Sequence, residues 1–444
     1  MTKEKHDLNK GNVRGKLIQY ALPIVASSLL QGVYSIVDML IAGRFLGSRG
    51  VSAINNSSQV MNMATQIAIG LTLGGNILIG QYFGAKKERE RKEATGNLLI
   101  LCLILGVIAS IALFVMAPTL MTLLNAPSRQ EAVIYLKICA IGYVTILLYN
   151  GCSAIMRAVG NSRRPFICIG ISTVINIVLD VVFVIFLKMG VAGTALATII
   201  AQAISFIVAI MYILKNKEYF GVQLEFMKVK LEKIQKIFKL GIPCALQWTI
   251  ASISWLVVTY FINAYGLDVS AGNGISIKIK DFCQLFISAM SGAASTMIAQ
   301  ALGAKMFDRG KEIMYEAMKI TIGMAVLIIV IVELAAPILA GCFTTNPAVI
   351  ENAVLNLRIE IIGQLFYASF LIYHSLMTGA GHTWMVMGSS FVNCILVRVI
   401  LVIIFNQYWG LQGVYLGCMI APASSIPIGW IYTKTNVWRK SLVS

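Results

Sequence analysis

The chain has 444 residues, 58% of them hydrophobic and only 12% charged, with a formal net charge of +17. A soluble domain carries about 25% charged residues, so this composition excludes a water-soluble globular fold. A basic excess of this size would suit nucleic acid, but the loop-by-loop placement of Lys and Arg excludes that partner and fits a membrane topology instead.

About sixteen hydrophilic residues precede the first apolar run, which is long and lacks a small-residue cleavage site, so no cleavable signal is expected and residues 1–42 stay in the mature chain. Apolar stretches then follow one another, each long enough as a helix to cross a hydrocarbon core of about 30 Å. Barrel strands would be about half as long and would alternate polar with apolar. The first six spans cover residues 17–42, 52–82, 95–118, 132–158, 165–188 and 191–214. The charged stretch 215–239 follows, expected to include a short amphipathic helix. Six more spans cover 236–262, 275–302, 316–340, 352–378, 384–405 and 411–433.

The two sets of six are related by an internal repeat. Gln81-Tyr82-Phe83-Gly84-Ala85-Lys86 recurs as Gln300-Ala301-Leu302-Gly303-Ala304-Lys305, and Met189-Gly190-Val191-Ala192-Gly193 as Trp409-Gly410-Leu411-Gln412-Gly413. Pro23 pairs with Pro243, Ala117-Pro118 with Ala336-Pro337, Gly142 with Gly363, and Met156 to Gly160 with Met377 to Gly381, all at a shift of about 220 residues. Such a period is far beyond solenoid repeats of roughly 20 to 50 residues. The expected fold is therefore all-α and integral to the membrane: twelve transmembrane helices as two duplicated six-helix bundles, with an N-lobe over 1–219 and the linker and C-lobe over 220–444. Internal duplication of this kind is the layout of transporters whose halves rock about a central site.

Lys3, Lys5, Lys10, Arg14 and Lys16, the loop with Lys86, Lys87, Arg89, Arg91 and Lys92, then Arg157, Arg163 and Arg164, the linker lysines, Lys305, Arg309 and Lys311, and finally Lys434, Arg439 and Lys440 all fall on one side. The opposite loops hold only Arg44, Arg49, Arg129 and Lys188. The positive-inside rule then places both termini in the cytoplasm, as an even number of spans requires, and brings the basic loops to anionic lipid headgroups of the plasma membrane. Nine cysteines with no CxxC spacing indicate neither a disulfide framework nor a zinc site and read as small buried hydrophobes.

An ionisable group inside a bilayer costs about 2.5 to 3.5 kcal/mol at a helix centre on insertion scales, so each needs a reason. Asp38 in span 1, Asn176 and Asp180 on one face of span 5, and Thr198 in span 6 sit at similar depth. They form an all-oxygen set for a hard cation, or a carboxylate pair able to hold one proton because two close negative charges resist joint ionisation. Asn176 and Thr198 could equally be interhelical hydrogen-bond partners; Asn150 in span 4 is a weaker member of the same network. The repeat places about Val258 and Val397 opposite the two acids, so coupling chemistry is expected in the N-terminal bundle alone. The second half carries Glu333, Glu360 and Arg398 instead, and Glu360 and Arg398, at similar depth, are expected either to pair or to reach water separately. His374 and His382 lack ligand spacing and read as buried or solvated histidines. Gly70-xxx-Gly74 suits close helix packing. Pro23 and Pro243, near the starts of spans 1 and 7, are expected to bend them, with Pro23 a gating candidate. No nucleophile, metal or phosphate-loop motif is present, so neither an enzyme nor ATP-driven transport is expected.

Taken in order, Pro23, Asp38, Gly43-Arg44-Phe45-Leu46-Gly47, the two Gln-x-x-Gly-Ala-Lys loops and Met156-Arg157-Ala158-Val159-Gly160-Asn161-Ser162 resemble the multidrug and toxic compound extrusion (MATE) family over essentially the whole chain. Within it, the chain is similar to the DinF-type branch, whose N-lobe cation site matches Asp38, Asn176, Asp180 and Thr198. Positions matching the C-lobe acids of the other main bacterial branch are Ala251 and about Tyr367, which puts a sodium site there in doubt. The resemblance implies a monomeric antiporter with no cofactor, in which an inward gradient of H⁺ or Na⁺ drives export of bulky, often cationic, amphipathic drugs through a cavity between the lobes. If the ion is Na⁺, the same four residues would ligate it. The alternative is a lipid-linked saccharide flippase of the same superfamily, which should line its cavity with basic residues for a pyrophosphate. A channel or a membrane enzyme is a third class.

Overall fold

The computed structural model describes residues 8–124 and 126–439. Lys3, Lys5, Lys440 and both chain ends, on which part of the topology argument rests, lie outside the described residues. Among the described residues the protein is helical, with eleven helices long and apolar enough to cross a membrane, the last of which is broken at Gly410 and gives twelve segments in all. They are α1 (Val13–Ile41), α2 (Gly47–Gly84), α3 (Glu88–Leu123), α4 (Arg129–Ala158), α5 (Arg163–Asp180), α6 (Gly190–Lys215), α7 (Leu231–Asn263), α8 (Leu267–Gly303), α9 (Phe307–Gly341), α10 (Pro347–Ala380), α11 (383–409) and α12 (411–434). The last two run together except at Gly410, whose φ of 56° and ψ of −137° break the helix. The helices overrun the apolar stretches at their polar ends, because a backbone helix continues past the membrane boundary wherever capping and packing permit.

The faces that hydropathy marks as lipid-facing are exposed. On α3 these are Leu103, Ile104, Val107, Ile108, Ile111 and Val115, and on α9 Val326, Leu327, Val330, Ile331, Leu334 and Ile338. Intervals of three and four residues put each set on one stripe, which only hydrocarbon can cover at no cost.

The repeated motifs are turns. In both Gln-x-x-Gly-Ala-Lys segments the helix ends in the same way: the Ala85 N–H donates to Gln81 O (2.9 Å) and the Lys87 N–H to Tyr82 O (3.1 Å). The corresponding bonds run from Ala304 to Gln300 (3.0 Å) and from Met306 to Ala301 (2.8 Å). Lys86 and Lys305 adopt left-handed φ of 56° and 59°. The ends of α4 and α10 repeat as well, with Gly160 and Gly381 at φ of 86° and 87°, closed by Asn161 N–H to Met156 O and His382 N–H to Met377 O. These 6→1 bonds satisfy last-turn carbonyls that would otherwise be orphaned, and left-handed backbone is cheapest at glycine.

The chain forms two compact units. One is built on Leu22–Ala245, the other on Leu8–Ala21 together with the chain from Leu246 onward, so the division falls within α1 and α7, beside Pro23 and Pro243. Pro23 is not in the first turn. It lies well inside α1, where its ring removes one N–H from the helical ladder, and Ser27 Oγ donates to Pro23 O at 2.8 Å.

In the first unit, α2 meets the start of α7 at near-backbone contact. A Cβ on Gly70 would stand 2.6 Å from Ala245 N, and one on Gly74 2.6 Å from both Gly241 N and Ile237 O. This fulfils the expectation for Gly70-xxx-Gly74. Gly74→Ala should cost about 1–3 kcal/mol through forced separation of the two helices, read as a lowered thermal midpoint of the detergent-solubilised protein; an unchanged midpoint would show that the helices can part freely.

The linker between α6 and α7 is no continuous amphipathic helix. It contains only a helical turn at Lys217–Phe220 and a 3₁₀ turn at Leu224–Phe226, both clasped to α3. The Arg91 guanidinium, 2% exposed, donates from Nη1 to Tyr219 O (2.8 Å) and from Nη2 to Glu88 Oε2 (2.6 Å) and Glu218 O (3.3 Å). Lys230 Nζ pairs with Glu93 (2.5 Å), and Asn97 accepts from the Lys230 N–H (2.7 Å). Because a short polar segment cannot bury enough apolar area to hold itself, these charge-assisted bonds fix it. Arg91→Ala should release the segment at a cost of about 2 kcal/mol, seen as faster tryptic cleavage near Lys215 and Lys228; equal cleavage rates would show the clasp to be dispensable.

Candidate functional site

Asp38 lies near the end of α1, three residues before the helix passes into a π-helical segment, Ala42–Leu46. Asp180 is the last residue of α5 and leads directly into another, Val181–Phe186. π segments leave backbone carbonyls out of the regular ladder and recur at functional sites. The structure brings the two acids together: their carboxyl groups lie within electrostatic range of each other. Asp38 is 8% exposed, Asn176 3% and Asp180 fully buried.

The helix pair α5–α6 sets the rest of the site. Ser172 Oγ donates to Ala201 O, and Ser205 Oγ donates back to Cys168 O, each at 3.0 Å. This antiparallel register carries Asn176 to the level of Ala197 and Thr198, and Asp180 to that of Gly193 and Thr194. The Thr198 hydroxyl donates to Thr194 O at 3.0 Å, which leaves its lone pairs available. No hydrogen-bond partner among the described residues reaches Asp38 Oδ1, either Asp180 oxygen, either end of the Asn176 amide, or Thr194 Oγ1. Buried polar atoms are nearly always satisfied, so several unsatisfied ones on two packed helices and a third facing them point to a bound ion or proton.

Four of the expected positions thus fall into one region, and the sequence missed a fifth, Thr194, whose signal is its place one helical turn before Thr198. Also missed were Tyr34, one turn before Asp38, and Tyr135 and Cys139 on α4. All three lie within electrostatic range of Asp38. Asn150 is half-buried and its Nδ2 donates to Ile146 O (2.9 Å) in its own helix. No group of three or more His, Cys, Asp or Glu side chains that could hold a metal occurs among the described residues. Two carboxyls with amide and hydroxyl oxygens suit a proton or a monovalent hard cation better than a transition metal.

In the second unit Glu360 has a different partner from the Arg398 considered above. It forms a buried ion pair with Lys280 of α8, while Arg358 stands 3.8 Å from Glu333. His374 is buried, as expected of one of the two readings, with Nε2 3.0 Å from Ser389 Oγ and Nδ1 without a hydrogen-bond partner among the described residues. Eight of the cysteines are buried and Cys342 is exposed, all with free thiols.

Fold and site together define a membrane protein of two related helical halves with one acidic, oxygen-rich cluster. The MatE family model matches residues 23–182 and, a second time, 243–404, so the chain belongs to the MatE family. It is 26% identical to "Probable multidrug resistance protein YoeA" of Bacillus subtilis (strain 168), over 98% of this chain and 96% of that one. It is 25% identical to "Multidrug export protein MepA" of Staphylococcus aureus (strain NCTC 8325 / PS 47), over 93% and 91%. The crystal structure of MATE in the straight conformation superposes with a TM-score of 0.92 at 21% identity, covering 98% of both chains, and shares the fold.

Proposed function

We propose that this protein is a multidrug exporter of the plasma membrane that couples an inward gradient of H⁺ or Na⁺ to outward movement of cationic or amphipathic drugs and toxic organic compounds by alternating access. The proximity of Asp38 and Asp180, two buried carboxyls amid oxygens with no hydrogen-bond partner, carries the reading. Two neighbouring buried carboxyls resist joint ionisation and favour sharing a proton or a cation, so binding the coupling ion changes the charge of the cluster, which is what a coupled exporter requires. Asn176 and Thr198 complete the site, as the resemblance to the DinF-type branch implies, and Thr194 joins them on the register of α5 and α6. The names of the two relatives support export of drugs. Ion binding at the end of α1 would bend or shift that helix at Pro23 and release the drug outward; loss of the ion to the cytoplasm would reset it. Both termini are placed in the cytoplasm, and the protein works as a monomer without a cofactor.

The test is efflux of a fluorescent cationic dye from proteoliposomes under a proton gradient or a sodium gradient alone. Transport driven by one of them identifies the ion. Failure of both to move dye would remove the export reading and favour the flippase. Pro23→Ala should slow the driven flux several-fold while leaving dye binding intact; unchanged flux would rule out a gating role.

A further inference from the structure

The second unit buries more positive charge than negative. Lys280 on α8 and Glu360 on α10 neutralise each other, and Asn356 joins them, its Oδ1 3.5 Å from Lys280 Nζ and its Nδ2 donating to Asn273 Oδ1 at 2.9 Å. Arg398, on the π-helical segment Val392–Val399 of α11, is 7% exposed. Among the described residues it has no carboxylate within ion-pair distance. Its Nη1 makes a long contact of 3.5 Å to Ser254 Oγ, a hydroxyl already committed to Cys394 O, and its Nε is buried with no partner. Both cations stand over the same indole, Lys280 Nζ at 5.5 Å and the Arg398 guanidinium at 4.8 Å from the Trp255 centroid. Cys418 on α12 is within electrostatic range of Glu360, Arg398 and Lys280 alike, so the three charges form one cluster.

A single carboxylate cannot balance two cations, and a guanidinium cannot shed its proton. An indole face and one long hydroxyl contact do not repay the desolvation of a buried charge. The edge formed by Nε and Nη2 is the fork that takes a carboxylate or sulfonate with two parallel bonds. Trp255 is half-exposed and flanked by the exposed Ser252 and Leu256, which leaves a way in from the α7 face. From this surplus we infer that the second unit contains a binding site for one monovalent anion at the Nε edge of Arg398, walled by Trp255 and kept cationic by the Lys280–Glu360 pair. The anionic group comes from the head of an amphipathic compound or from a free halide. The amphiphile case rests on the export reading and would extend the substrates to zwitterionic and anionic compounds; the binding site itself does not depend on transport.

The test is equilibrium binding, with no gradient, to the full chain in nanodiscs of zwitterionic lipid. At constant ionic strength, bromide replaces sulfate, a divalent anion whose charge exceeds the single surplus positive charge of the site. Wild type should gain thermal midpoint saturably with bromide, and its tryptophan emission should be quenched. Arg398→Met should lose the bromide-dependent gain and, relieved of an unpaired charge, melt no lower than wild type in sulfate. Arg398→Lys should keep the gain at weaker affinity, and Trp255→Phe should lose most of the saturable quenching. The same bromide response in wild type and Arg398→Met would overturn the proposal; should Arg398→Met not fold, so would saturable quenching that persists undiminished in Trp255→Phe. A second arm measures energy transfer from tryptophan to dansyl-labelled alkyl sulfonate or alkyl trimethylammonium. Sulfonate transfer that bromide displaces and Arg398→Met abolishes assigns the site to an amphiphile's head; a bromide response without sulfonate transfer assigns it to the free ion.

Discussion

Asp38→Asn is expected to reduce gradient-driven dye efflux to the level of empty proteoliposomes, and Asp180→Asn to do the same. Either change leaves a single carboxyl facing an amide, which no longer needs a proton or cation to relieve it, so the ion has no differential hold on the protein and its gradient can do no work. The same variants should be more heat-resistant than wild type. An amide replacing one of two crowded, buried carboxyls removes repulsion and desolvation cost of about 1–3 kcal/mol. Efflux and thermal midpoint measured on one preparation therefore separate a functional pair from a structural one: a variant that melts earlier and loses transport would mean that the acids hold the fold together. If the coupling ion is Na⁺, added sodium should raise the melting temperature of wild type and not that of Asp38→Asn. Normal efflux by either variant would remove the site from the mechanism.

The largest stability effect is expected at the buried pair of the second unit. Lys280→Met should cost about 3–5 kcal/mol, because the Glu360 carboxylate is left buried with no partner. Glu360→Gln in the same chain should restore most of that loss, since an amide at this position is neutral and has Asn356 nearby to bond with. Thermal midpoints of the two single variants and the double variant complete the cycle. Additive losses would mean that the two residues do not interact, and a loss of less than about 1 kcal/mol in Lys280→Met would mean that Arg398 takes over Glu360.

Helix number, order and duplication were legible in the sequence because lipid enforces them. A spanning segment must satisfy its backbone internally and present apolar side chains, which writes a run of about 20 apolar residues into the chain. The repeated motifs were legible for a related reason. Gly84, Gly160 and Gly190, with Gly303, Gly381 and Gly410, belong to turns where the backbone needs a positive φ, at the glycine itself in Gly160, Gly190, Gly381 and Gly410 and two residues later, at Lys86 and Lys305, after Gly84 and Gly303. Helix faces can trade one apolar residue for another; these turns cannot. The acids Asp38 and Asp180 stood out because charge in hydrocarbon is costly.

Pairing across helices was not legible. Nothing in a linear pattern distinguishes Lys280 from Arg398 as the partner of Glu360, since depth estimated by counting along a helix fixes height and not direction. The same limit hid Thr194, an ordinary hydroxyl until the bonds of Ser172 and Ser205 set the α5–α6 register and carried it to the level of Asp180. The linker's expected short helix shrinks to one turn, Lys217–Phe220, because its charges are spent on α3 and not on helix faces of their own. The sequence by itself thus determined the solvent, the helix count, the repeat and the acids that lipid makes conspicuous. Tertiary structure alone decided which buried polar groups meet, because that depends on helix rotation and register, set by packing contacts that many apolar side chains can make equally well.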